Sequence, residues 1–318
     1  MTASANYNMT VLVTTYNQPF ESVRFTLETI LAQDFDSFEI VISDDGSSNG
    51  ITDEIETYLN TRSFHRYSIV SNAENAGTVK NIISGLSAVK GNLVKQLSPG
   101  DGLFAPDTLS TIWRFYKQTR CPIGFGQLKG YAISADGSPV FSDYNAPRKP
   151  DAFESSTTAE LLRDEILNTN WIPGCSLFYE PEFFAGYLKR LAHFGVRYCE
   201  DLSCPLVLAD DQRIAFLNAP VLWYELGSGI STSGGKKATA RMYADHRAFF
   251  TALAQSDPSS HLYRSALKRF SFREFIALKT PFYRLAQSIV KTSYSSSQTV
   301  VSEESRQFFS RCRDMGSC

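Results

Sequence analysis

Asp101 stands between two glycines in Leu-Ser-Pro-Gly-Asp-Gly (residues 97–102), at the end of a run that reads as a buried strand. A carboxylate there suits Mg²⁺ or Mn²⁺, because hard cations prefer oxygen ligands and can bridge two anionic groups. Gly100 and Gly102 permit tight backbone geometry and the close approach of a bulky ligand. The same residues are turn formers and read equally as a plain turn. Asp44 and Asp45 precede Gly46 in a comparable setting, and Glu200 and Asp201 form a second acidic pair. Tyr16, after Thr14 and Thr15 and before Asn17, offers a ring for stacking. Each residue has a local reading too: Asp44–Gly46 as a capped strand-to-helix turn, Glu200–Asp201 as a helix cap, Tyr16 as an edge aromatic. Their order within one repeating pattern is what joins them.

That pattern alternates strand and helix. MTVLVTTYN (residues 9–17) is a β-branched run, followed by a helix with Val23, Leu27, Ile30 and Leu31 at helical spacing. FEIVISDDGSS, ITDEIETYLNT, YSIVSN, TVKNIISGLSAV and NLVKQLS continue as strand, helix, strand, helix, strand. PDTLSTIWRFYKQ then reads as a helix with Pro106 at its first position. Near-continuous apolar strands separated by helices predict an α/β fold: a parallel sheet covered on both faces. Ligands of such sheets bind beyond the carboxyl ends of the strands, where Tyr16, Asp44, Asp45 and Asp101 all fall. After residue 120 the pattern shifts to an antiparallel hairpin turning at Ala135–Gly137, then a capped helix, a short strand, a helix from Pro181, a helix ending at Pro205, and an extended return. The Gly/Ser-rich segment 227–237 predicts a mobile loop, and residues from 238 onward read as helical. The Ser-rich end, residues 293–318, is expected to lack order.

Of 318 residues, 31 are basic and 33 acidic, so bulk attraction to nucleic acid is not expected. The six cysteines fit neither a zinc site nor a disulfide framework, and the thiols read as reduced in a cytoplasmic setting. No signal peptide or transmembrane span is expected. The dinucleotide fingerprint of a nicotinamide enzyme is missing after the first strand, where the chain has Thr-Thr-Tyr-Asn. The Gly-rich, Arg-bearing first loop of a nucleotidylyltransferase is missing too.

Five blocks in order, TTYN, ISDDGS, NAGTVKN, LSPGDGLFAPD and YCED, resemble glycosyltransferase family 2 over about residues 9–235. The resemblance implies the GT-A fold: a Rossmann-like, mostly parallel central sheet flanked by helices, with a small antiparallel part and a helical C-terminal extension. It implies a catalytic domain over 1–237, with a nucleotide-sugar half to about 105 and an acceptor half from 106, followed by an extension over 238–318. The implied activity is transfer of one sugar, with inversion, from a nucleoside-diphosphate sugar, UDP by default, to a hydroxyl of a glycan or lipid-linked oligosaccharide in surface polysaccharide synthesis. The alternative is an inactive nucleotide-sugar-binding protein of the same fold.

By the same resemblance, Thr14, Thr15, Tyr16 and Asn17 line the base pocket, Asp44 and Asp45 accept hydrogen bonds from base or ribose, and Lys80 and Asn81 lie beside the nucleotide. Gly100 flanks the diphosphate, and Asp101 matches the last aspartate of the metal-binding acidic motif, implying Mn²⁺ or Mg²⁺. Family members often carry two or three acids where this chain has Ser98-Pro99-Gly100, and a lone carboxylate holds a metal less tightly. Asp201 matches the catalytic base, with Glu200 beside it. Ser231, Thr232 and Lys236 are candidate donors to the diphosphate on a closing loop, and Trp171 is a candidate acceptor wall that reads equally as core. The Gln-x-x-Arg-Trp block of processive synthases is absent. Residues 261–294 carry seven formal positives against Glu274 alone, interleaved with aromatics. That mixture suits either peripheral contact with the inner face of a membrane or a helix with a solvated basic face.

Overall fold

The computed structural model describes residues 7–168, 170–227, 236–279 and 301–315. Residues 7–97 fold as their pattern predicts. Strand β1 (Tyr7–Thr15), helix α1 (Phe20–Leu31), β2 (Phe38–Asp44), α2 (Ile51–Thr61), β3 (Tyr67–Ser71), α3 (Thr78–Leu86) and β4 (Gly91–Leu97) follow one another. The four strands pair in parallel in the order β3-β2-β1-β4, with Thr15 opposite Asp44 and Val13 opposite Leu97. Successive strand residues point to opposite faces. Val11, Val13, Ile40 and Ile42 therefore pack with Val23, Leu27 and Ile55 of α1 and α2, while Leu12, Val41 and Val94 pack with Val79 and Ile82 of α3.

The second half extends the same sheet. After β5 (Gly102–Leu103) come α4 (Thr108–Thr119), the hairpin β6 (Ile123–Ile133) and β7 (Pro139–Ala146), the short helices α5 (Ala152–Ser155) and α6 (Thr158–Arg163), and β8 (Leu177–Tyr179). Then follow α7 (Pro181–His193), α8 (Ser203–Ala209) and β9 (Ala215–Glu225). β8 joins β4 and β6 antiparallel, β9 runs parallel to β6, and β5 lies antiparallel on β9. Two helix boundaries differ from the sequence reading. Pro106 precedes the N-cap, Asp107, and its carbonyl accepts from the Asp34 amide at 2.9 Å. Pro205 does not end α8; it lies in the first turn, where an amide lacks an intrahelical partner anyway, and the helix runs to Ala209. Thr157 caps α6 through a reciprocal box with Glu160, and that helix passes into a π-helical turn over Asp164–Asn168.

The C-terminal helices share this core. From α9 (Lys236–Ser256), Phe249, Phe250 and Leu253 join the cluster built on Leu12 and Val41, as do Ala266 and Phe270 of α10 (His261–Lys279). The tail expected to lack order contains α11 (Glu303–Asp314), capped by Ser302. Its Phe308, Phe309 and Cys312 fill a slot formed by Phe25, Phe104, Tyr131 and Trp223. Burying a phenylalanine there contributes about 2 kcal/mol, which a Ser-rich composition does not reveal. The proposed loop over 227–237 lies outside the described residues from 228 to 235.

Candidate active site

Leu97 ends β4, and the chain turns through Ser98-Pro99-Gly100-Asp101. The Asp101 amide donates to the Ser98 carbonyl at 2.9 Å, and Gly100 sits at φ +92°. Proline then glycine at the two central positions is the signature of a type II turn, so the plain-turn reading holds for the backbone. The side chain does something else. Asp101 is 3% exposed, and its Oδ1 accepts a 3.3 Å hydrogen bond from the Glu225 amide. Burial pushes its carboxyl up to about 7; that amide and the Lys95 charge oppose the shift, and the Glu225 carboxylate adds to it. Glu225 lies over Gly100 so closely that a Cβ at position 100 would collide with its Oε2. The Tyr131 hydroxyl donates to the Gly100 carbonyl from beneath.

The ends of β1 and β2 lie side by side, and the Asp45 amide donates to the Thr15 carbonyl at 2.9 Å. Tyr16 is 43% exposed at this rim. Thr14 and Thr15 are buried, and the Thr15 hydroxyl has no partner among the described residues. The other polar groups are engaged with the chain. Asp44 accepts from the Ser47 amide (2.9 Å) and hydroxyl, and Asn17 accepts from the Ser48 amide at 2.9 Å. Asp45 does not present a free carboxylate: it accepts from the Asn72 side chain (2.9 Å) and from the Ala76 (2.9 Å) and Gly77 (2.8 Å) amides. Asn81 is buried and is bonded through both ends of its amide to Ser43. Lys80 is exposed on the first turn of α3.

Glu200 and Asp201 open a single 3₁₀ turn, Glu200–Leu202, ahead of α8. Both are half-buried. The Glu200 carboxylate packs against Gly174, leaving no room for a Cβ there, and Gln96 of β4 donates to it at 3.4 Å. Gln96 is itself oriented by the Tyr179 hydroxyl at 3.0 Å. Burial holds both carboxyls above the usual range. Repulsion from Asp201 raises Glu200 further, whereas the His246 charge offsets part of the rise at Asp201. The two carboxyls titrate together, so a proton bound at one eases the repulsion between them. Asp101, Glu200 and Asp201 lie close enough to the Cys175 thiol that, beyond its burial, all three push it up. The end of β4 and the acidic pair thus border one region: Gln96 of β4 bonds Glu200, and Cys175 lies near both.

Several participants had no sequence signal that tied them to this region. Lys95 is wholly buried in β4, where burial lowers its ammonium to about 8. It donates to the carbonyls of Gln96 (3.1 Å), Cys175 and Leu177 (3.4 Å), anchoring the loop under Gly174. A charge inside an apolar strand was the available clue. Glu165, in the π-helical turn, is 2% exposed; its Oε1 accepts from the Ile172 amide at 3.2 Å, and burial drives its carboxyl well up. Trp171 is half-buried and meets His246 edge-on at 5.6 Å. Ser231 and Thr232 lie outside the described residues, as does the side chain of Lys236. Among the described residues no cluster of three His, Cys, Asp or Glu side chains could hold a metal unaided.

A family model described as glycosyl transferase family 2 matches residues 10–166. A sequence comparison with curated proteins finds no match. Among solved structures the chain is similar to S. aureus TarS residues 1–349 in complex with UDP-GlcNAc. The TM-score is 0.59 at 18% identity, over 96% of this chain and 79% of that one. It is also similar to the mannosyltransferase PcManGT from Pyrobaculum calidifontis in complex with GDP-Man and Mn²⁺, with TM-score 0.53 and 15% identity over 96% and 84%. At these identities the structural likeness concerns the fold. The family match runs through the three strand ends that carry Tyr16, Asp45 and Asp101, on a sheet that TarS and PcManGT share. Residues 10–166 carry a glycosyltransferase family 2 domain, and the chain is a glycosyltransferase with the GT-A fold.

Proposed function

We propose that the enzyme moves one sugar, with inversion, from a nucleoside-diphosphate sugar to a hydroxyl of a glycan or lipid-linked acceptor, in surface polysaccharide synthesis. The observation that carries this reading is the proximity of Asp101, just after β4, to Glu200–Asp201, which Gln96 of β4 ties to that strand. UDP is the first donor nucleotide to test, since TarS was solved with UDP-GlcNAc; GDP is the second. The exposed Tyr16 ring stacks on the base, and the Thr15 hydroxyl is a candidate donor beside it. Asp45 acts on the nucleotide through the Ala76–Gly77 loop that it fixes, and Lys80 approaches it from α3. Trp171 with Pro173 forms the acceptor wall.

In the transfer, the Asp201 carboxylate takes the proton of the acceptor hydroxyl. The hydroxyl oxygen bonds to the anomeric carbon as the bond to the diphosphate oxygen breaks, and that oxygen leaves with the electron pair. Glu200, held by Gln96 and packed against Gly174, orients the acceptor beside the base. The chemistry at Asp101 fits a divalent cation: two carboxylates, Asp101 and Glu225, repel each other around Gly100, and such ions are held by one or two carboxylates plus substrate phosphates. When bound there with the diphosphate, the cation offsets charge on the leaving group. The donor assignment is checked by thermal shift with UDP, GDP and their sugars in Mn²⁺, since a ligand of the folded state raises its stability. One nucleotide is expected to raise the midpoint by several degrees at 100 times its Kd. No shift with any of them overturns the reading.

The acceptor's setting comes from α10. Phe272 and Phe275 are 65% and 55% exposed, beside exposed Lys268 and Arg269, and Glu274 is tied to Arg247. No helix among the described residues is long and apolar enough to cross a membrane. Apolar rings rimmed by cations suit peripheral contact with an anionic leaflet on the cytoplasmic side. Replacing both rings, Phe272→Ser with Phe275→Ser, should lower co-sedimentation with phosphatidylglycerol vesicles by about tenfold or more. Unchanged binding removes the membrane from the proposal.

A further inference from the structure

Helix α9 reaches back to the backbone that carries the acidic pair. Asp245 is 4% exposed. Its Oδ1 accepts from the Arg197 amide at 3.1 Å, and its Oδ2 from the Tyr198 and Cys199 amides at 2.5 and 3.0 Å. Three consecutive N–H groups thus converge on one carboxylate, an anion nest filled by the protein's own side chain. The next two residues are Glu200 and Asp201.

The same segment is held from the other side. The Arg197 carbonyl accepts from the Val79 amide at 2.9 Å, and the Arg197 guanidinium donates to the Asn75 carbonyl at 3.2 Å. Asn75 adjoins the Ala76–Gly77 amides that Asp45 binds. A buried aspartate at the end of β2 and another on α9 therefore fix the two loops that meet at Arg197. The neighbour of Asp245, His246, donates from Nδ1 to the Met242 carbonyl at 2.8 Å and rests its ring against Trp171 and Phe270. The helix thus borders both the acidic pair and the acceptor wall.

We propose that Asp245 is a positioning residue for sugar transfer: it fixes the turn that aims Asp201 at the acceptor hydroxyl, making α9 part of the catalytic unit. This rests on the reading of Asp201 as the base. Asp245→Asn keeps the side-chain volume but replaces one acceptor oxygen with an NH₂ group, so at least one of the three amides loses its partner. A small displacement of a reacting group costs about 100-fold in rate. Donor affinity should persist, because Asp45 holds the nucleotide side independently.

The test compares wild type, Asp245→Asn, Asp245→Glu and Asp201→Asn. Turnover is read as UDP released from UDP-GlcNAc or GDP from GDP-mannose in Mn²⁺, with nucleotide Kd and amide hydrogen exchange measured on the same samples. For Asp245→Asn, kcat is expected to fall about 100-fold with Kd within about twofold. Exchange at 197–199 should quicken by at least about tenfold while Ala76 and Gly77 stay protected. Asp245→Glu, which keeps the carboxylate, should recover part of the rate. Unchanged exchange at 197–199, wild-type kcat in Asp245→Asn, or equal losses in kcat and affinity each overturn the proposal. Normal turnover in Asp201→Asn overturns the assignment of the base, while the exchange data still decide whether Asp245 holds the turn.

Discussion

Asp201→Asn is expected to lower kcat by about 10³-fold while leaving nucleotide affinity within about twofold. The change is nearly isosteric: it removes the ability to take a proton and turns one carboxylate oxygen into an NH₂ group. The turn survives it, since the Asp245 carboxylate and the Leu202 amide contact to the Cys199 carbonyl do not involve the Asp201 side chain. Glu200 is not placed to substitute, because its carboxylate is packed against Gly174 and held by Gln96. The wild-type pH profile should report the same chemistry. Burial raises Asp201, and the base is the ionised form, so turnover should fall as pH drops through a value above the usual carboxylate range. Steady-state kinetics over pH, with calorimetric titration of the nucleotide, check both statements. A variant that transfers at the normal rate would show that the base is elsewhere.

Asp101→Asn should weaken binding of the nucleoside diphosphate in Mn²⁺ by at least about 10- to 100-fold, since removing even an outer-shell partner of a metal costs that much. In EDTA the variant and the wild type should bind alike. The turn is built from backbone groups, the Asp101 amide on the Ser98 carbonyl and the Thr26 hydroxyl on the Asp101 carbonyl at 2.7 Å, so the substitution spares it. Stability gives an independent control. The Asp101 carboxyl is raised to about 7 by burial, so its contribution to stability is fully present at low pH and is lost as pH rises through about 7. Asparagine cannot ionise, and the variant should be no less stable than wild type at pH 8. Equal wild-type affinity with Mn²⁺ and with EDTA would remove the metal from Asp101.

The alternation of apolar strands with helices in residues 9–97 was legible because each element's pattern depends on its own neighbours along the chain. β1, β2 and β4 therefore ended where Tyr16, Asp44 and Asp101 had been placed, and parallel pairing brought those ends to one rim. The glycines around Asp101 marked the turn for the same local reason. What each carboxylate binds was not legible. Asp45, expected to face a base or ribose, instead closes on the amides of Ala76 and Gly77, and Asn81 is taken up by Ser43. Asp245 lies 44 positions beyond Asp201 in a helix of mixed polarity, with no spacing that ties it to the acidic pair. Phe308, Phe309 and Cys312 looked like part of a Ser-rich tail until the aromatic slot of Phe25, Tyr131 and Trp223 gave them a surface to cover. Repeating backbone conformation is set by residues a few positions apart. A buried polar group takes whichever donor the packing of distant elements brings within about 3 Å, and only the folded chain decides that.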